Sequence, residues 1–589
     1  MRSYFSVVMT SVFLLSSAVA AQDAPFSVCP LLGPRFPILP SSASSPTIDQ
    51  GLQNLTAALD NYVLAGSGDF GAVTPNTTSF SVSLFFTEDT NSTKPFFYEY
   101  HHTSNTLKNA TEGAKKIDAD SVYRVGDLTT LFTTWLFLIE AGEEYWVDPV
   151  SKWVPELAAK NSADSISTVQ WNQVTLGDLA ANLGGIGRYS PSTNLETPAL
   201  ASLLSLLGTT TSSLPCASRL PACARTEFFQ YMNTHAPVFA PGTTPIFSNA
   251  GFIILAYALE TIRGRPFVEL LKDTIITPLN LSSTSVLEPP TSKYGVIPSN
   301  ASIAGWSDPL AIETAFNGIY SSLTDISTAL RAVLSSQMLP KAVTQRWLKP
   351  VSLTSNSVNS VGRPWEIYSL TTGGPSPVIP IYQVRGNIDL YSSHIGLVPD
   401  YNVGFVILAA DSETNPDLNA FADVISIAMI PALEQNAIVQ ASTAFAGTYT
   451  STSSKSNSTN ETTTLIINSA IDSTPGLSLT TLTTGTTDIR ALYAKLNGIE
   501  PKDLSFRLYP TDLVSKNKNE GTKKLAMRAV FQDLTAVGDA GTPTCDTWRG
   551  VDAVQIGGVG IDEFVFEMRG GLVTGLEVPA LGLRLGKEG

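Results

Sequence analysis

The sequence predicts the α+β class: a first domain mixing helices with antiparallel strands, then a mostly β domain. Three observations carry this. After a short apolar strand at Tyr123, apolar residues fall at Leu128, Leu131, Phe132, Trp135, Leu136 and Ile139, the spacing of an amphipathic helix. Residues 78–88 and 95–101 alternate as S-F-S-V-S-L-F-F-T-E and F-F-Y-E-Y-H, the pattern of an antiparallel hairpin. From Leu465 onward, Leu465–Asn468, Ala491–Leu496, Leu504–Tyr509, Leu525–Phe531, Glu563–Met568 and Leu572–Val578 form short alternating runs divided by Gly, Pro and Asp. These read as the strands of a second domain.

A chain of 589 residues is too long for one ordinary domain. Charged residues are only 15% and the net charge is −15, which argues against nucleic acid or an anionic membrane as partner. Arg2, the apolar run Val7–Leu15 and the small-x-small site Ala18-Val19-Ala20 read as a signal peptide over residues 1–20, hence a secreted protein. That run is shorter than the roughly 18–20 residues of a membrane span, and no later stretch is expected to span. N-x-S/T sequons lie at Asn54, Asn76, Asn91, Asn109, Asn280, Asn300, Asn457 and Asn460, several of them expected to carry glycans. Four cysteines fit an oxidising compartment. Cys216 and Cys223 share a Pro-bounded loop and are expected to pair, which leaves Cys29 with Cys545, although four cysteines allow three connectivities.

In chain order, residues 22–48 are a Pro/Ser-rich lead-in and Thr47–Leu64 reads as a helix. Gly126-Asp127 opens the helix after Tyr123, with Asp127 expected as N-cap and Gly142 as the stop. Then follow Asp148–Leu157, Val174–Arg188 (V-T-L-G-D-L-A-A-N-L-G-G-I-G-R), Pro245–Leu259 (P-I-F-S-N-A-G-F…) and Pro278-Leu279. The strand Ile381–Gly386 (I-Y-Q-V-R-G) precedes a strand pair, Ser393–Pro399 and Val403–Ala410. A helical run, Leu418–Ser442, closes the domain, and the low-complexity stretch Ser451–Thr464 reads as a solvated loop.

The order and spacing of these segments resemble the serine β-lactamase and penicillin-binding-protein-like family of class C type. The form they resemble is that of large secreted fungal β-lactamase-like proteins with a C-terminal β domain. The resemblance implies an antiparallel sheet flanked by helices over residues 25–440 and a β-rich domain over 445–589. In that family a Ser attacks a carbonyl, a Lys one helical turn on handles the proton, and a Tyr relays it to the leaving group. A third motif supplies a cation for the substrate carboxylate and one backbone N–H of the oxyanion hole, and the Ser N–H supplies the other. Here the nucleophile position is Asp127, the base position Thr130 and the relay position Phe247, while Asn182 and Gly184 stand where His and Ser are usual. Asn249 is retained, and the third motif reads Val384-Arg385-Gly386.

No residue is therefore assigned a catalytic role. Asp127 is read as a helix cap, and Thr130 as a local hydrogen-bond partner. Asn249, Val384, Arg385 and Gly386 are the ligand-pocket candidates, with a turn role for Asn249 and a solvated edge charge for Arg385 as the plain readings. His101 and His102 are placed at a loop, His235 and His394 in core or surface roles. No metal set, G-x-S-x-G elbow, P-loop or dinucleotide fingerprint is read, so no cofactor and no metal are expected. The expected function is binding of a small molecule after loss of acyl-enzyme chemistry, with a non-covalent step such as cyclisation of a secondary metabolite within reach. The alternatives are a working esterase, transesterase or lactamase with non-standard residues, and a structural protein with a filled pocket. The sequence leaves the oligomeric state open.

Overall fold

The structure, a computed structural model, describes residues 28–39, 45–87, 94–157, 164–189, 202, 205, 206, 223–308, 310–370, 378–454, 460–468, 474–517, 521–536 and 544–588. The signal-peptide reading, Asn91, Cys216 and Asn457 lie outside these residues. The chain divides into two compact units, one from 33 to 372 and 378 to 441, the other from 442 to 589 with the N-terminal residues up to 32.

The first unit is built on an eight-stranded sheet, antiparallel throughout, as expected. Its strands are β1 (Ser79–Phe86), β2 (Tyr98–His102), β6 (Ser352–Leu353), β7 (Asn359–Val361), β8 (Glu366–Leu370), β9 (Ile379–Ile388), β10 (Tyr391–Val398) and β11 (Val403–Ala410), in the order β2-β1-β11-β10-β9-β8-β7-β6. A small second sheet joins β3 (Val122–Arg124), β4 (Ser285–Val286) and β5 (Ile319–Ser322). His101 and His102 lie within β2, not in a loop.

Helices cover both faces of the main sheet. On one face pack α1 (Pro46–Ala65) and α6 (Asn419–Phe445), through Leu55, Leu59, Phe421, Ile425 and Met429. The other face carries α2 (Thr129–Glu140), α3 (Asn249–Arg263), α4 (Thr314–Asn317) and α5 (Leu323–Leu334). Because side chains alternate along a strand, β9 serves both cores. Tyr382, Val384 and Ile388 join the α2 side, and Ile379 and Ile381 join the α1 side.

Helix α6 is long and apolar enough to cross a membrane, contrary to the sequence reading. One side of it, Phe421, Ile425, Met429, Ile430 and Leu433, seats on the sheet, and Phe421 is wholly buried, while Ile427 and Val439 are exposed. Helix α2 also differs from expectation. All ten residues from Thr129 to Leu138 are buried, so the threonine face is inside as well as the apolar stripe. It tolerates burial because its hydroxyls are bonded: Thr133 Oγ1 donates to Ala315 O (2.6 Å) and Thr134 Oγ1 to Thr130 O (2.9 Å).

The second unit is a β structure. Strands β12 (Gly447–Ser454), β13 (Asn460–Ile467), β14 (Leu477–Thr484), β15 (Thr487–Asp488), β16 (Leu504–Asn517), β17 (Thr522–Asp533), β18 (Glu563–Arg569), β19 (Leu572–Val578) and β20 (Leu583–Lys587) run in the order β13-β12-β20-β19-β18-β17-β16-β14-β15. A further β13–β14 pairing closes the ladder on itself, which removes the two open edges such a sheet would expose. Two readings fail here. Residues 447–454 and 460–467 are paired strands, not solvated loop, because Thr-rich, β-branched sequence suits a pleated surface as well as it suits solvent. The run Ala491–Leu496 belongs to helix α7 (Ile489–Leu496), capped by the Asp488 carboxylate on Ala491 N at 3.0 Å. Its Ala, Leu and Lys favour a helix over a strand. Cys29 and Cys545 form the expected disulfide within this unit. Cys223 is also disulfide-bonded.

Candidate functional site

The strand β3 enters α2 through a tight turn. Gly126 sits at φ +58°, a left-handed conformation that a side chain resists, and a Cβ there would meet the backbone of Asn387 at 2.7–2.9 Å. Gly386 is as closely approached: a Cβ would stand 2.4 Å from Val125 O and 2.5 Å from Leu128 N. Ser393 Oγ donates to Val125 O at 2.7 Å and tightens the same junction. These two glycines let β9 run against the first turn of α2.

That contact fixes Asp127. It does not cap α2, as the sequence reading had it. Asp127 lies inside a 3-10 turn, Gly126–Leu128, and no side chain caps either that turn or α2. Its carboxylate turns instead toward β9 and accepts the Asn387 N–H at 3.4 Å, at the long end of the hydrogen-bond range. Burial pushes the Asp127 carboxyl up to about 7. Opposing this are the Asn387 N–H, the Arg188 charge and the N–H of its own residue, while the nearby Glu313 adds to the rise. Thr130 Oγ1 donates to Asp127 O at 2.7 Å, a local bond as expected.

The segment after Thr243 brings Phe247, Ser248 and Asn249 to the start of α3. Ser248 Oγ donates to Gly187 O (2.8 Å), and Asn182 Oδ1 accepts Ser248 N–H (3.1 Å). Asn249 spends its amide on Tyr189: Nδ2 donates to Tyr189 O at 2.7 Å and Oδ1 accepts Tyr189 N–H at 3.0 Å. Its retention thus has a backbone-holding explanation, with Oδ1 and one Nδ2 donor spent on Tyr189. The guanidinium of Arg188 lies 4.9 Å from the Phe247 ring centroid, and its Nε donates to Phe247 O at 3.3 Å.

The third-motif candidates divide between the sheet faces. Val384 is buried in the α2-side core and Gly386 is filled by backbone contact, so neither lines open space. Arg385 shares the alternation of Ile379 and Ile381 and points to the α1 side, away from Asp127. There it pairs with Glu366, through Nε (3.0 Å) and Nη2 (2.5 Å). Among the other histidines, His394 is buried on the same side, bonded to Gln383 Oε1 (2.6 Å) and held well below the usual imidazole range, to about 3, first by burial.

Three participants escaped the sequence reading. Asn387 follows the third motif by one residue and acts only through its backbone. Glu313 is buried, with Asn317 Nδ2 at 3.4 Å, and nothing in its local sequence marks it. Arg188 closed a segment recognised for other reasons. Its isolation among apolar and glycine residues, L-G-G-I-G-R-Y, was the available signal.

Comparison with known proteins agrees with the architecture. The Beta-lactamase family model matches residues 90–428, and a model described as "Beta-lactamase-like-like, C-terminal domain" matches residues 437–589. The chain is 30% identical over 601 aligned positions to a "Beta-lactamase-like protein" of Arthroderma benhamiae, covering 96% of this chain and 97% of that one. It is 26% identical to "Probable hydrolase clz13" of Cochliobolus lunatus, over 63% of each chain. It is 23% identical to the D-alanyl-D-alanine-carboxypeptidase/endopeptidase AmpH of Escherichia coli, over 50% of this chain and 72% of that one. A D-stereospecific amidohydrolase from Streptomyces sp. superposes with a TM-score of 0.45 at 20% identity, covering 65% of this chain and 98% of that one. By its residues 90–428, and by its relationship to the Arthroderma protein along almost the whole length of both, this chain belongs to the β-lactamase family.

Proposed function

We propose that this protein is a secreted member of the family that has lost acyl-enzyme chemistry and binds a small molecule in the remaining cleft. The observation that carries the reading is the Asp127 carboxylate on the Asn387 N–H. By its place after the third motif, that N–H is the one expected to receive a substrate oxyanion. The second donor expected there is the N–H of the nucleophile residue, which here helps to lower the Asp127 carboxyl. A side chain in the nucleophile position that fills the oxyanion hole removes nucleophile and transition-state stabiliser together. It also sets a negative charge where negative charge would have to develop. Thr130, whose hydroxyl is spent on Asp127 O, supplies no base, and Phe247 supplies no relay.

Without covalent chemistry, the step open to such a cleft is to hold one conformer of a bound molecule, as in a cyclisation of secondary metabolism. The acidic composition favours a small-molecule partner over nucleic acid. The Cys29–Cys545 bridge is compatible with secretion, and Asn54, Asn76, Asn109 and Asn280 are exposed sequons.

The test is intact mass after incubation with a fluorophosphonate and with a fluorescent β-lactam. The unmodified protein is expected to stay unlabelled, whereas a combined Asp127→Ser, Thr130→Lys, Phe247→Tyr variant is expected to accept the label. A stoichiometric adduct on the unmodified protein would sink the reading.

A further inference from the structure

Arg188 is placed as a binding group is placed. Its side chain is exposed, and among the described residues it forms no ion pair. Only Nε is committed, to Phe247 O at 3.3 Å, and the Phe247 ring lies against the guanidinium at 4.9 Å. The two Nη groups keep their donors for another partner.

The backbone beneath is fixed by four hydrogen bonds. They are Ser248 Oγ to Gly187 O (2.8 Å), Tyr231 Oη to Arg188 O (3.1 Å), Tyr189 N to Asn249 Oδ1 (3.0 Å) and Asn249 Nδ2 to Tyr189 O (2.7 Å). Two of the three residues that make them, Ser248 and Asn249, belong to the family's second motif, so a motif no longer used in catalysis holds this arginine. An arginine stacked on a ring and anchored at both ends of its peptide loses less freedom on binding than a free surface one. The Arg188 charge also acts on the Asp127 carboxyl, drawing it down. The cation named by the third motif, Arg385, is on the opposite face of the sheet and bound to Glu366.

We propose that Arg188 anchors a carboxylate group of the ligand, its two Nη donors meeting both oxygens at the Phe247 side of the cleft. Planar guanidinium and planar carboxylate match in this bidentate form, which is stronger and more directional than a point-charge contact. The ligand would then be held by its acid group beside the second-motif segment, leaving Asp127 in the oxyanion hole undisturbed. The proposal rests on the ligand-binding reading given above.

The test titrates the full-length protein with phenylacetate and with phenylacetamide at constant ionic strength, followed by calorimetry. Phenylacetate is expected to bind saturably, and Arg188→Gln to weaken it about ten- to a hundredfold, the range for charge-assisted hydrogen bonds. Arg188→Lys should recover part of the loss, and Arg385→Gln should change nothing. Equal phenylacetate affinity in the wild type and Arg188→Gln, or a loss in Arg385→Gln, overturns the anchor. If both probes bind alike and neither responds to Arg188→Gln, the cleft binds ligands but Arg188 is not the anchor. If neither probe binds, the ligand-binding reading falls with it.

Discussion

Asp127→Asn is the perturbation that probes the site most directly. The carboxyl is raised from 3.8 to about 7, first by burial, and the Asn387 N–H and Arg188 only partly offset this. An acid with a higher value folded than unfolded binds more protons in the native state. Its contribution to stability therefore falls as pH climbs from about 4 to about 7, and the cost is complete above that. From 3.8 to about 7 the full cost is about 4 kcal/mol, and solvent reaching a half-buried carboxyl should bring it to about 2–3 kcal/mol. Asparagine keeps the shape and an acceptor for Asn387 while removing the charge. Urea unfolding of both proteins, followed by tryptophan fluorescence, reads the first unit well, since every tryptophan except Trp548 lies there. The variant should match the wild type near pH 3, below both values, and exceed it by about 2–3 kcal/mol at pH 8.5. A difference that stays flat with pH, or that grows toward acid, would refute the argument, because it would mean that Asp127 is ionised without penalty.

Other perturbations follow from the same geometry. Gly386→Ala puts a methyl 2.4 Å from Val125 O, so strand and turn must separate; a loss of about 3 kcal/mol by denaturant titration is expected. Asn249→Ala removes both bonds to the Tyr189 backbone and should cost about 2–4 kcal/mol in the same measurement, more than an ordinary turn residue would. Cys29→Ser opens the bridge to Cys545 and should lower the stability of the second unit by about 2–5 kcal/mol, seen as an earlier unfolding step reported by Trp548.

The elements most legible in the sequence were those whose periodicity and burial agree. Helix α2 announced itself through Leu128 to Ile139, and β1, β10 and β11 through runs whose every residue is buried. Legibility failed where one composition serves two states. The Thr-rich residues of β12 and β13 have no apolar alternation to mark them, and their strand state comes from pairing partners distant in sequence, Tyr449 with Lys587 among them. At the site, residue types were legible but directions were not. Arg385 and Gly386 are neighbours, yet strand alternation sends one to each face, and only the burial of Ile381 and Val384 in different cores decides which. Asn387 was invisible for a deeper reason: its contribution is a backbone N–H, which no side-chain pattern encodes.

The substitutions at the site form a connected set. A serine exchanged for alanine would lose the nucleophile and leave the oxyanion hole vacant, so the change could be reversed by one further substitution. Aspartate does more, because its carboxylate reaches the Asn387 N–H, and that contact, the Arg188 guanidinium and the N–H of Asp127 itself offset part of what burial costs its charge. Once that carboxylate is in place, a lysine at position 130 would pair with it rather than act as a base, and a tyrosine at 247 would have no proton to relay. Phe247 serves instead as a face for Arg188. On the proposed reading the three altered positions are linked through the Asp127 backbone and the Arg188 guanidinium, so the combined variant is the one expected to become reactive, while Asp127→Asn alone should alter stability and leave the protein unlabelled.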